Sequence, residues 1–595
     1  MLTAIIFRLQ SIFVPAVLAL LLCPIALPVH GSGQPDHVEN FRLFDHEGKA
    51  HELRRYADRK AVVLFVAGNG CPIVRQTLPV LKELREVYGD EGVAFLLINA
   101  NPQDDRPAIA GEAEAFSISF PILIDRAQLI ARSLGIERTG EAILINAANG
   151  EILYRGAVDD SLDYGTVRPA ANFYLEDAID AFLAGEEPAT PRTDPRGCLI
   201  HIDPLPEELT YVEHIAPIIQ SRCLKCHSAG NIAPFPFTRY EVVRGWAPMM
   251  REVIRTKRMP PWHADAHYSS FSNDRSLSIE EKQALISWIE SGAPRGEGED
   301  PLLENSVVPA VQWELGEPDH VVSLPEEVTL PATGLIDYKY FRVPADLDAD
   351  AWIKAIDIRP GNREVVHHAL IFVEYPQELS HLQPDFRGGL EGFFAGYVPG
   401  TEAEFFPEGT GKFVPKGSHF IFQMHYTATG RPETDLTEMA FYFFDEKPPY
   451  KLHTKGAYNT RLNIPPGAAD YEVEAIHEFS GDVILYGMSP HMHFRGNRFE
   501  YKALYPDGST EILLSVPYYD FNWQTTYMLE EPKRLPAGTK LLCRGAFDNS
   551  AMNPANPDPE QTVRFGEQTS DEMFIGYFLY RDDNREGPED LATNR

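Results

Sequence analysis

Hydrophobic and polar positions follow three different patterns along the 595 residues, and the changes of pattern predict the domain boundaries. In the first, residues 34–185, short apolar runs alternate with segments of helical periodicity, which is typical of an α/β domain. The predicted strands are Ala61–Val66, Val93–Ile98, Ile122–Ile124 and Ala142–Ile145, and the predicted helices are Leu78–Tyr88 and Asp177–Leu183. We therefore expect the chain to begin with an α/β domain.

The second pattern, over residues 207–296, is mostly helical and predicts a small all-α domain. Ser278 is suited to cap the helix predicted at Ile279–Ile289, and Gly292 is suited to end it. Stretches rich in Pro, Gly and Glu flank this domain at residues 185–206 and 293–311. Both are predicted to be linkers, and the second has the composition of a flexible tether.

The third pattern consists of short alternating runs, separated by Pro and Gly, and predicts antiparallel β-sandwiches. Clear examples are Ala369–Val373, His419–Tyr426 and Val483–Met488. The length suits two sandwiches, at residues 313–462 and 463–582, followed by a polar tail at 583–595.

The first 31 residues predict a signal peptide. Arg8 precedes an apolar run at Ile12–Leu22, and small residues follow near Gly31. The run is shorter than the ~20 residues that span a bilayer, so an uncleaved membrane anchor is the weaker alternative. We expect a periplasmic or secreted protein with no stable membrane span after signal cleavage.

Composition narrows the range of partners. Hydrophobic residues make up 44% of the chain and charged residues 24%, which is typical of a globular protein. The formal net charge of -34 would repel phosphate backbones, so nucleic acid is not an expected partner. Six cysteines are too few for a framework of disulfides in a chain this long.

A C-x-x-C-H run at Cys223, Cys226 and His227 indicates covalent haem attachment, because two thiols can add to the haem vinyl groups while the histidine binds iron. A disulfide or half of a zinc site are the structural alternatives, but no second Cys/His pair at zinc spacing follows. Residues 209–296 resemble a small cytochrome c domain. This resemblance implies one-electron transfer, with His227 and Met259 as axial ligands. Met249 and Met250 lie in a predicted helix and are interpreted as packing residues.

Histidines recur in the β region at spacings that suit metal binding. His367 and His368 are adjacent on a predicted strand, so both can reach one metal only across a bend or bulge. His491 and His493 are two apart, so they share one face of a strand. His425 and Met573 complete the set, and each alone would be interpreted as a buried structural residue.

In this order, the four motifs resemble the copper type II, ascorbate-dependent monooxygenases, over roughly Trp313–Tyr580. The resemblance implies two jelly-roll-like sandwiches, two copper ions and dioxygen as co-substrate. The implied electron-transfer copper ligands are His367, His368 and His425, and the implied catalytic copper ligands are His491, His493 and Met573. Tyr577 matches a family tyrosine, but Ser489 and Ile575 replace an arginine and an asparagine that clamp a substrate carboxylate. A peptide ending in glycine is therefore a poor candidate substrate. Other residues remain alternative ligands, with structural roles favoured: His419, His453, His477, Met424, Met488 and Met552.

Near the front of the chain, the turn Asn69–Arg75 resembles the active-site turn of thioredoxin-fold and peroxiredoxin-like proteins. A helix N-terminus can acidify Cys71 there, which makes it a candidate redox thiol. Val74 replaces the second cysteine of a C-x-x-C motif, and Gly140 stands where such domains commonly carry a cis-proline. A one-cysteine role, with Cys198 as a remote partner, and a degenerate docking domain are both left open.

Together these features predict an exported copper monooxygenase that hydroxylates a C–H bond of a small organic or peptide-derived substrate. Its c-type haem would pass on electrons from an exported donor, either an ascorbate-like reductant or a redox protein. The alternative is a non-hydroxylating copper and haem protein for electron transfer or copper handling. A thiol peroxidase centred on Cys71 is a third reading.

Overall fold

The computed structural model describes residues 35–163, 166–202, 204, 208–303, 313–382, 386–401 and 403–583. The predicted signal peptide, residues 304–311 of the second predicted linker and residues 584–595 of the predicted tail lie outside the described residues. In the part of the chain that is described, no helix combines the length and the apolar character needed to cross a bilayer.

The first domain contains a five-stranded sheet with helices on its faces. Its strands are β1 (Arg42–Phe44), β2 (Ala50–Glu52), β3 (Ala61–Ala67), β4 (Val93–Asn99), β5 (Ile122–Ile124), β6 (Ala142–Asn146), β7 (Ile152–Gly156), β8 (Leu162–Asp163) and β9 (Thr166–Val167). Its helices are α1 (Pro72–Tyr88), α2 (Arg106–Ala115), α3 (Leu129–Ser133) and α4 (Tyr174–Ala184). The sheet order is β5-β4-β3-β6-β7. Every residue of β3 is buried, because hydrophobic clusters cover both faces of the sheet.

The all-α segment packs on one face of that sheet and shares its hydrophobic cluster. It contains α5 (Ala216–Arg222), α6 (Tyr240–Arg255) and α7 (Ile279–Glu290). Helix α7 begins where the sequence predicts, with Ser278 and Glu281 forming a reciprocal capping box.

The segment after α7 differs from the flexible tether that its composition predicts. Ala293 and Leu302 are buried in the shared cluster. The Asp300 carboxylate accepts hydrogen bonds from the Tyr211 hydroxyl at 2.7 Å and the Tyr240 backbone N–H at 2.6 Å. Residues 293–303 are therefore a packed part of the helical domain, because a few apolar and capping side chains outweigh the turn-rich composition.

The first β region has two larger sheets and a two-stranded sheet around one core. Its strands are β10 (His320–Ser323), β11 (Val328–Leu330), β12 (Lys339–Pro344), β13 (Ala351–Arg359), β14 (Val366–Glu374), β15 (Phe393–Tyr397), β16 (Glu404–Phe405), β17 (Thr410–Val414), β18 (His419–Tyr426), β19 (Glu433–Asp435), β20 (Glu438–Phe443) and β21 (Tyr450–Lys451). The four-stranded sheet has the order β12-β18-β14-β15. The other has the order β10-β20-β13-β17-β21, and β16 also pairs with β13.

The second β region has two four-stranded sheets around another core. Its strands are β22 (His453–Tyr458), β23 (Asn463–Ile464), β24 (Tyr471–Glu478), β25 (Val483–His491), β26 (Gly496–Leu504), β27 (Thr510–Val516), β28 (Tyr527–Leu535), β29 (Lys540–Phe547), β30 (Val563–Arg564) and β31 (Ile575–Asp582). The sheet orders are β22-β31-β25-β28 and β24-β29-β26-β27. Strand β22 pairs with β31 along its whole length, so the second region begins before the predicted boundary at residue 463. The jelly-roll topology stays a prediction.

Candidate metal centres

Three histidines of the first β region form a compact cluster. His367, His368 and His425 each offer one ring nitrogen, and these atoms lie within 4.8 Å of one another. The ring centroids are 4.8 to 5.4 Å apart. Within the described residues, this is the one group of three or more His, Cys, Asp or Glu side chains with such spacing.

A β-bulge makes this cluster possible. On the pairing between β14 and β18, Val366 is opposite Tyr426 and His368 is opposite His425, so the register shifts across His367. A bulge re-aims the side chain of the extra residue. The predicted bend is therefore confirmed, and it brings two adjacent imidazoles to one place.

The three imidazoles are kept neutral by their surroundings. Burial lowers the pKa of His425 to about 3 and lowers the pKa of His368 well below its ordinary value, and neighbouring imidazoles add to both effects. His368 Nε2 and His425 Nδ1 are buried without a hydrogen-bond partner. Buried nitrogens normally have partners, and neutral imidazoles are good copper ligands. The cluster therefore fits a copper ion.

The second set lies where β25 ends and β31 begins. His491 pairs with Ile575 across these strands, and Met573 lies two residues before the start of β31. The His491 and His493 ring centroids are 5.3 Å apart. Met573 is 2% exposed, and an ideal Cβ built on Gly389 would lie 4.0 Å from its sulfur. The thioether is thus buried beside a loop of the first β region.

Hydrogen bonds orient both of these imidazoles. His491 Nδ1 lies 2.6 Å from Gln524 Oε1, and His493 Nδ1 lies 3.1 Å from the Asp571 carbonyl oxygen. Each ring can donate through Nδ1, which leaves Nε2 for a metal. His493 Nε2 is buried and has no partner. Burial lowers the pKa of His491 to about 4 and of His493 to about 3, so both rings are neutral near pH 7.

Glu572 fixes the backbone of the H-x-H turn. It is fully buried, and its carboxylate accepts hydrogen bonds from the backbone N–H groups of His493 at 2.8 Å and Arg495 at 2.6 Å. Burial raises the pKa of Glu572 to about 8. The residue beside Met573 thus holds the turn that carries the two histidines.

The two sets of ligands share an aromatic wall. Tyr338 lies with its ring centroid 5.0 Å from that of His425 and 6.3 Å from that of His493. Phe521 lies 5.6 Å from His425 and 5.9 Å from His493. Both aromatic residues are buried. The two histidine sites come from different β regions, as the sequence predicts. They lie together at one joint between these regions, which contains the Tyr338 and Phe521 rings.

A cavity of about 420 Å³ opens beside His491. Ser489, Gln524 and Tyr577 line it, together with Arg275 of the helical segment. The Tyr577 hydroxyl donates to the Gly389 carbonyl oxygen, and its ring stacks on Phe393 at 4.7 Å. Tyr577 therefore joins the two β regions through these contacts at the cavity wall.

The C-x-x-C-H run lines a larger cavity of about 760 Å³. His227 Nδ1 lies 3.0 Å from the Phe235 carbonyl oxygen, which leaves Nε2 for a metal. Phe235 stacks on Trp246 at 3.8 Å, and much of the remaining wall is apolar. Cys223 and Cys226 are unbridged thiols on this wall. The site thus fits a haem, with an imidazole, two thiols and a large apolar space.

Three methionines line the same cavity: Met249, Met250 and Met259. Both Met249 and Met250 lie on α6, as predicted, but only Met250 is buried in the hydrophobic core. Met249 is 43% exposed, so its interpretation as a packing residue is wrong. Met259 follows α6 on an irregular segment. The choice of Met259 as the sixth ligand stays a prediction.

His367 also lines the larger cavity that contains the C-x-x-C-H run, together with Asn522 and Trp523. A further cavity of about 430 Å³ borders His367, His425 and Phe521. One copper-ligand candidate therefore separates the space that suits a haem from the joint between the two histidine sites.

In the first domain, Cys71 precedes α1 and is 5% exposed. Its sulfur lies 3.1 Å from Thr139 Oγ1 and 3.5 Å from the sulfur of Cys198. The structure thus brings the two cysteines together across 127 positions of sequence.

Two family models match parts of the chain. Residues 452–587 match copper type II ascorbate-dependent monooxygenase, C-terminal domain. This region is therefore similar to the C-terminal domain of the copper type II monooxygenases. Residues 33–172 match Redoxin, which confirms the thioredoxin-like domain. His491, His493 and Met573 lie inside the matched monooxygenase domain, whereas His367, His368 and His425 precede it.

Curated relatives of the first domain are thiol-disulfide oxidoreductases named ResA. That of Halalkalibacterium halodurans is 33% identical over 114 residues, which are 19% of this chain and 62% of the relative. That of Geobacillus thermodenitrificans is 32% identical over 122 residues, which are 20% and 66%. The chain thus spans slightly less than two thirds of these relatives. Among solved structures, a hypothetical protein from Sinorhizobium meliloti is 26% identical, with a TM-score of 0.27, over 28% of this chain and 93% of that one.

Several residues of the monooxygenase domain and its neighbour carry no signal in the sequence. Gln524, Phe521 and Tyr338 lie in loops and follow no metal-binding spacing. Glu572 could have been suspected from its place beside Met573. Of the alternative ligands, Met424 and Met488 are buried in the two cores. His453 stacks on Tyr580, and the His477 ring contacts Phe578 at a tilt.

Proposed function

We propose that this chain is an exported copper monooxygenase that hydroxylates a C–H bond of a small organic or peptide-derived substrate. The net reaction would combine R–H, dioxygen, two electrons and two protons to give R–OH and water. The observation that best supports this proposal is the joint at Tyr338 and Phe521, where the His367/His368/His425 cluster and the H-x-H turn lie close together. Both groups of histidines include buried ring nitrogens without a hydrogen-bond partner.

Bound copper would supply reductive activation of dioxygen, and bound haem would supply electrons singly. His367, His368 and His425 would hold one copper ion, and His491, His493 and Met573 would hold the other. Gln524 and the Asp571 carbonyl fix the ring orientations of the second set, and Glu572 fixes its turn. The buried Tyr338 and Phe521 rings contact histidines of both sets.

The substrate would bind in the cavity beside His491. Its wall combines both β regions with the helical segment, so all three must be docked for the cavity to close. Ser489 leaves room there because it is short, and its hydroxyl lies 2.6 Å from Thr526 Oγ1. Tyr577 closes the opposite side through its bond to the Gly389 carbonyl.

Cys223, Cys226, His227 and Met259 of the helical segment would hold a c-type haem. Its cavity reaches His367, which supports delivery of electrons to the first copper site. The predicted signal peptide supports a periplasmic or secreted location, where an ascorbate-like reductant or a redox protein would donate the electrons.

Met573→Ala tests the proposal. We expect it to abolish reductant-dependent oxygen consumption and hydroxylation of a panel of small organic and peptide-derived compounds, because the second site loses its thioether. Copper at His367, His368 and His425 and the haem spectrum should persist. Copper content per chain and product analysis are the readouts.

Met552→Ala is the matched control, since Met552 is half-buried and lies outside the joint. Full turnover of Met573→Ala would show that this methionine is only a packing residue. Copper binding without coupled oxygen consumption in the unaltered protein would instead favour the copper-handling alternative.

A further inference from the structure

Residues 197–200 return to the first domain and place a second thiol over its active-site turn. The backbone N–H of Thr139 donates to the Cys198 carbonyl at 2.9 Å, and the backbone N–H of Cys198 donates to Thr139 Oγ1 at 2.9 Å. The Ile200 N–H donates to the Glu137 carbonyl at 2.9 Å. This segment lies beyond the matched Redoxin range and within a predicted linker.

Gly197 makes this close approach possible. A Cβ at residue 197 would lie 1.7 Å from the Thr139 carbonyl oxygen, which is far inside van der Waals contact. Only glycine lets the segment run against Thr139 at this point. The backbone is therefore shaped to hold Cys198 beside Cys71, with the two sulfurs 3.5 Å apart and unbonded.

The two thiols have different surroundings. Cys71 is buried before α1, whereas Cys198 is exposed. Burial raises the pKa of Cys71, but hydrogen bonds from the Thr139 hydroxyl, the Val74 backbone and Cys198 outweigh it, so the pKa is lowered overall. The hydrogen bond to Cys71, followed by burial, raises the pKa of Cys198. A partner can reach Cys198, and Cys71 is the better leaving thiolate.

We propose that Cys71 and Cys198 form a thiol–disulfide exchange pair. In this pair, Cys198 reacts first with the partner, and Cys71 then resolves the mixed disulfide. The partner is a disulfide or dithiol of another exported protein. In the C-x-x-C arrangement both thiols flank one turn. Here Val74 occupies the second position, and the distant Cys198 replaces it across the fold.

The exchange balances without a further reagent. The Cys198 thiolate attacks a partner disulfide, forms a mixed disulfide and releases one partner thiol. The Cys71 thiolate then attacks Cys198 Sγ, forms the Cys71–Cys198 bond and releases the second partner thiol. Two electrons pass from the pair to the partner, and an incoming dithiol reverses both steps.

The test uses the full-length, haem-loaded protein and 5,5′-dithiobis(2-nitrobenzoate) as the probe disulfide. Reduced wild-type protein should release two thionitrobenzoate anions at the pair and end with an internal disulfide. Cys71→Ser should instead retain one thionitrobenzoate on Cys198, located by peptide mass mapping. Cys198→Ser should react at least about tenfold more slowly at Cys71, because that thiol is buried.

Cys543→Ser is the control, since Cys543 is a buried thiol of the monooxygenase domain. Gly197→Ala, which keeps both thiols, should slow closure of the internal disulfide. The proposal is overturned if Cys71 is the first residue modified in the wild type, or if the Cys198 adduct is as persistent in the wild type as in Cys71→Ser. Retained copper content and circular dichroism would show that each variant is folded.

Discussion

Single side chains decide the geometry of the second histidine site. Gln524 and Glu572 touch the ring of His491 and the backbone of His493, and neither would bind the metal itself. Groups that orient metal ligands contribute strongly to metal affinity. The H-x-H turn therefore depends on residues that lie 33 and 79 positions away in the chain.

Glu572→Gln tests this dependence. Above about pH 8, where Glu572 is ionised, its carboxylate accepts from two backbone N–H groups, whereas an amide offers one acceptor oxygen, so the turn should loosen. We expect copper affinity at the second site to fall about 10- to 100-fold, as found for residues that orient ligands. Copper titration should show the first site unchanged, and exposed Glu560→Gln should match the wild type.

Lys412 is expected to make the stability of the folded protein depend on pH. It is 7% exposed between the two β regions, and burial lowers its pKa to about 7 from 10.5. Between these two pH values the unfolded chain binds a proton that the folded chain does not, so stability should rise with pH across this window. Below it, both states are protonated and the cost of burying the charge is complete.

Replacing this lysine should remove that trend. From about pH 7 to about pH 10, the wild type should gain stability. The melting temperature of Lys412→Met should therefore fall relative to that of the wild type. Lys416→Met, at an exposed position nearby, should keep the wild-type trend. Parallel curves for Lys412→Met and the wild type would show that the Lys412 charge does not contribute.

At the scale of elements, the packed segment after α7 has the clearest consequence. Leu302 is fully buried in the shared core, whereas the adjacent Leu303 is 55% exposed. Leu302→Ala should lower the free energy of unfolding by about 2–5 kcal/mol because it leaves a cavity. Leu303→Ala should change it by about 0.5 kcal/mol or less. If both variants change the free energy of unfolding by equal, small amounts in thermal or denaturant unfolding, the segment after α7 is a flexible tether, as its composition predicts.

The sequence predicts individual strands, caps and bulges well, but it does not predict which distant segments contact one another. Strand His419–Tyr426, the Ser278 cap and the need for a bulge at His367 all follow from short-range patterns. The joint at Tyr338 and Phe521 does not, because loop residues without periodicity build it from distant parts of the chain. Residues 197–200 were predicted to be linker for the same reason: a β-bridge of a few residues has no compositional signal.

At the scale of the molecule, the domains are docked. Arg106 pairs with Asp265 at 2.5 Å, and the Arg42 guanidinium lies 3.3 Å above the Tyr518 ring. These contacts join the first domain to the helical segment and to the second β region. We therefore propose that this docking, and not a flexible tether, holds the cavity of the C-x-x-C-H run against His367.

The most direct test is anaerobic stopped-flow spectroscopy of protein with reduced haem and cupric copper. The account predicts that haem oxidation accompanies copper reduction at a rate independent of protein concentration, and that His367→Ala slows it while His419→Ala does not. The haem should also stay with the chain in acidic acetone, because Cys223 and Cys226 would bond to it. Haem that remains reduced beside cupric copper would contradict the central claim that the helical segment supplies electrons to the monooxygenase.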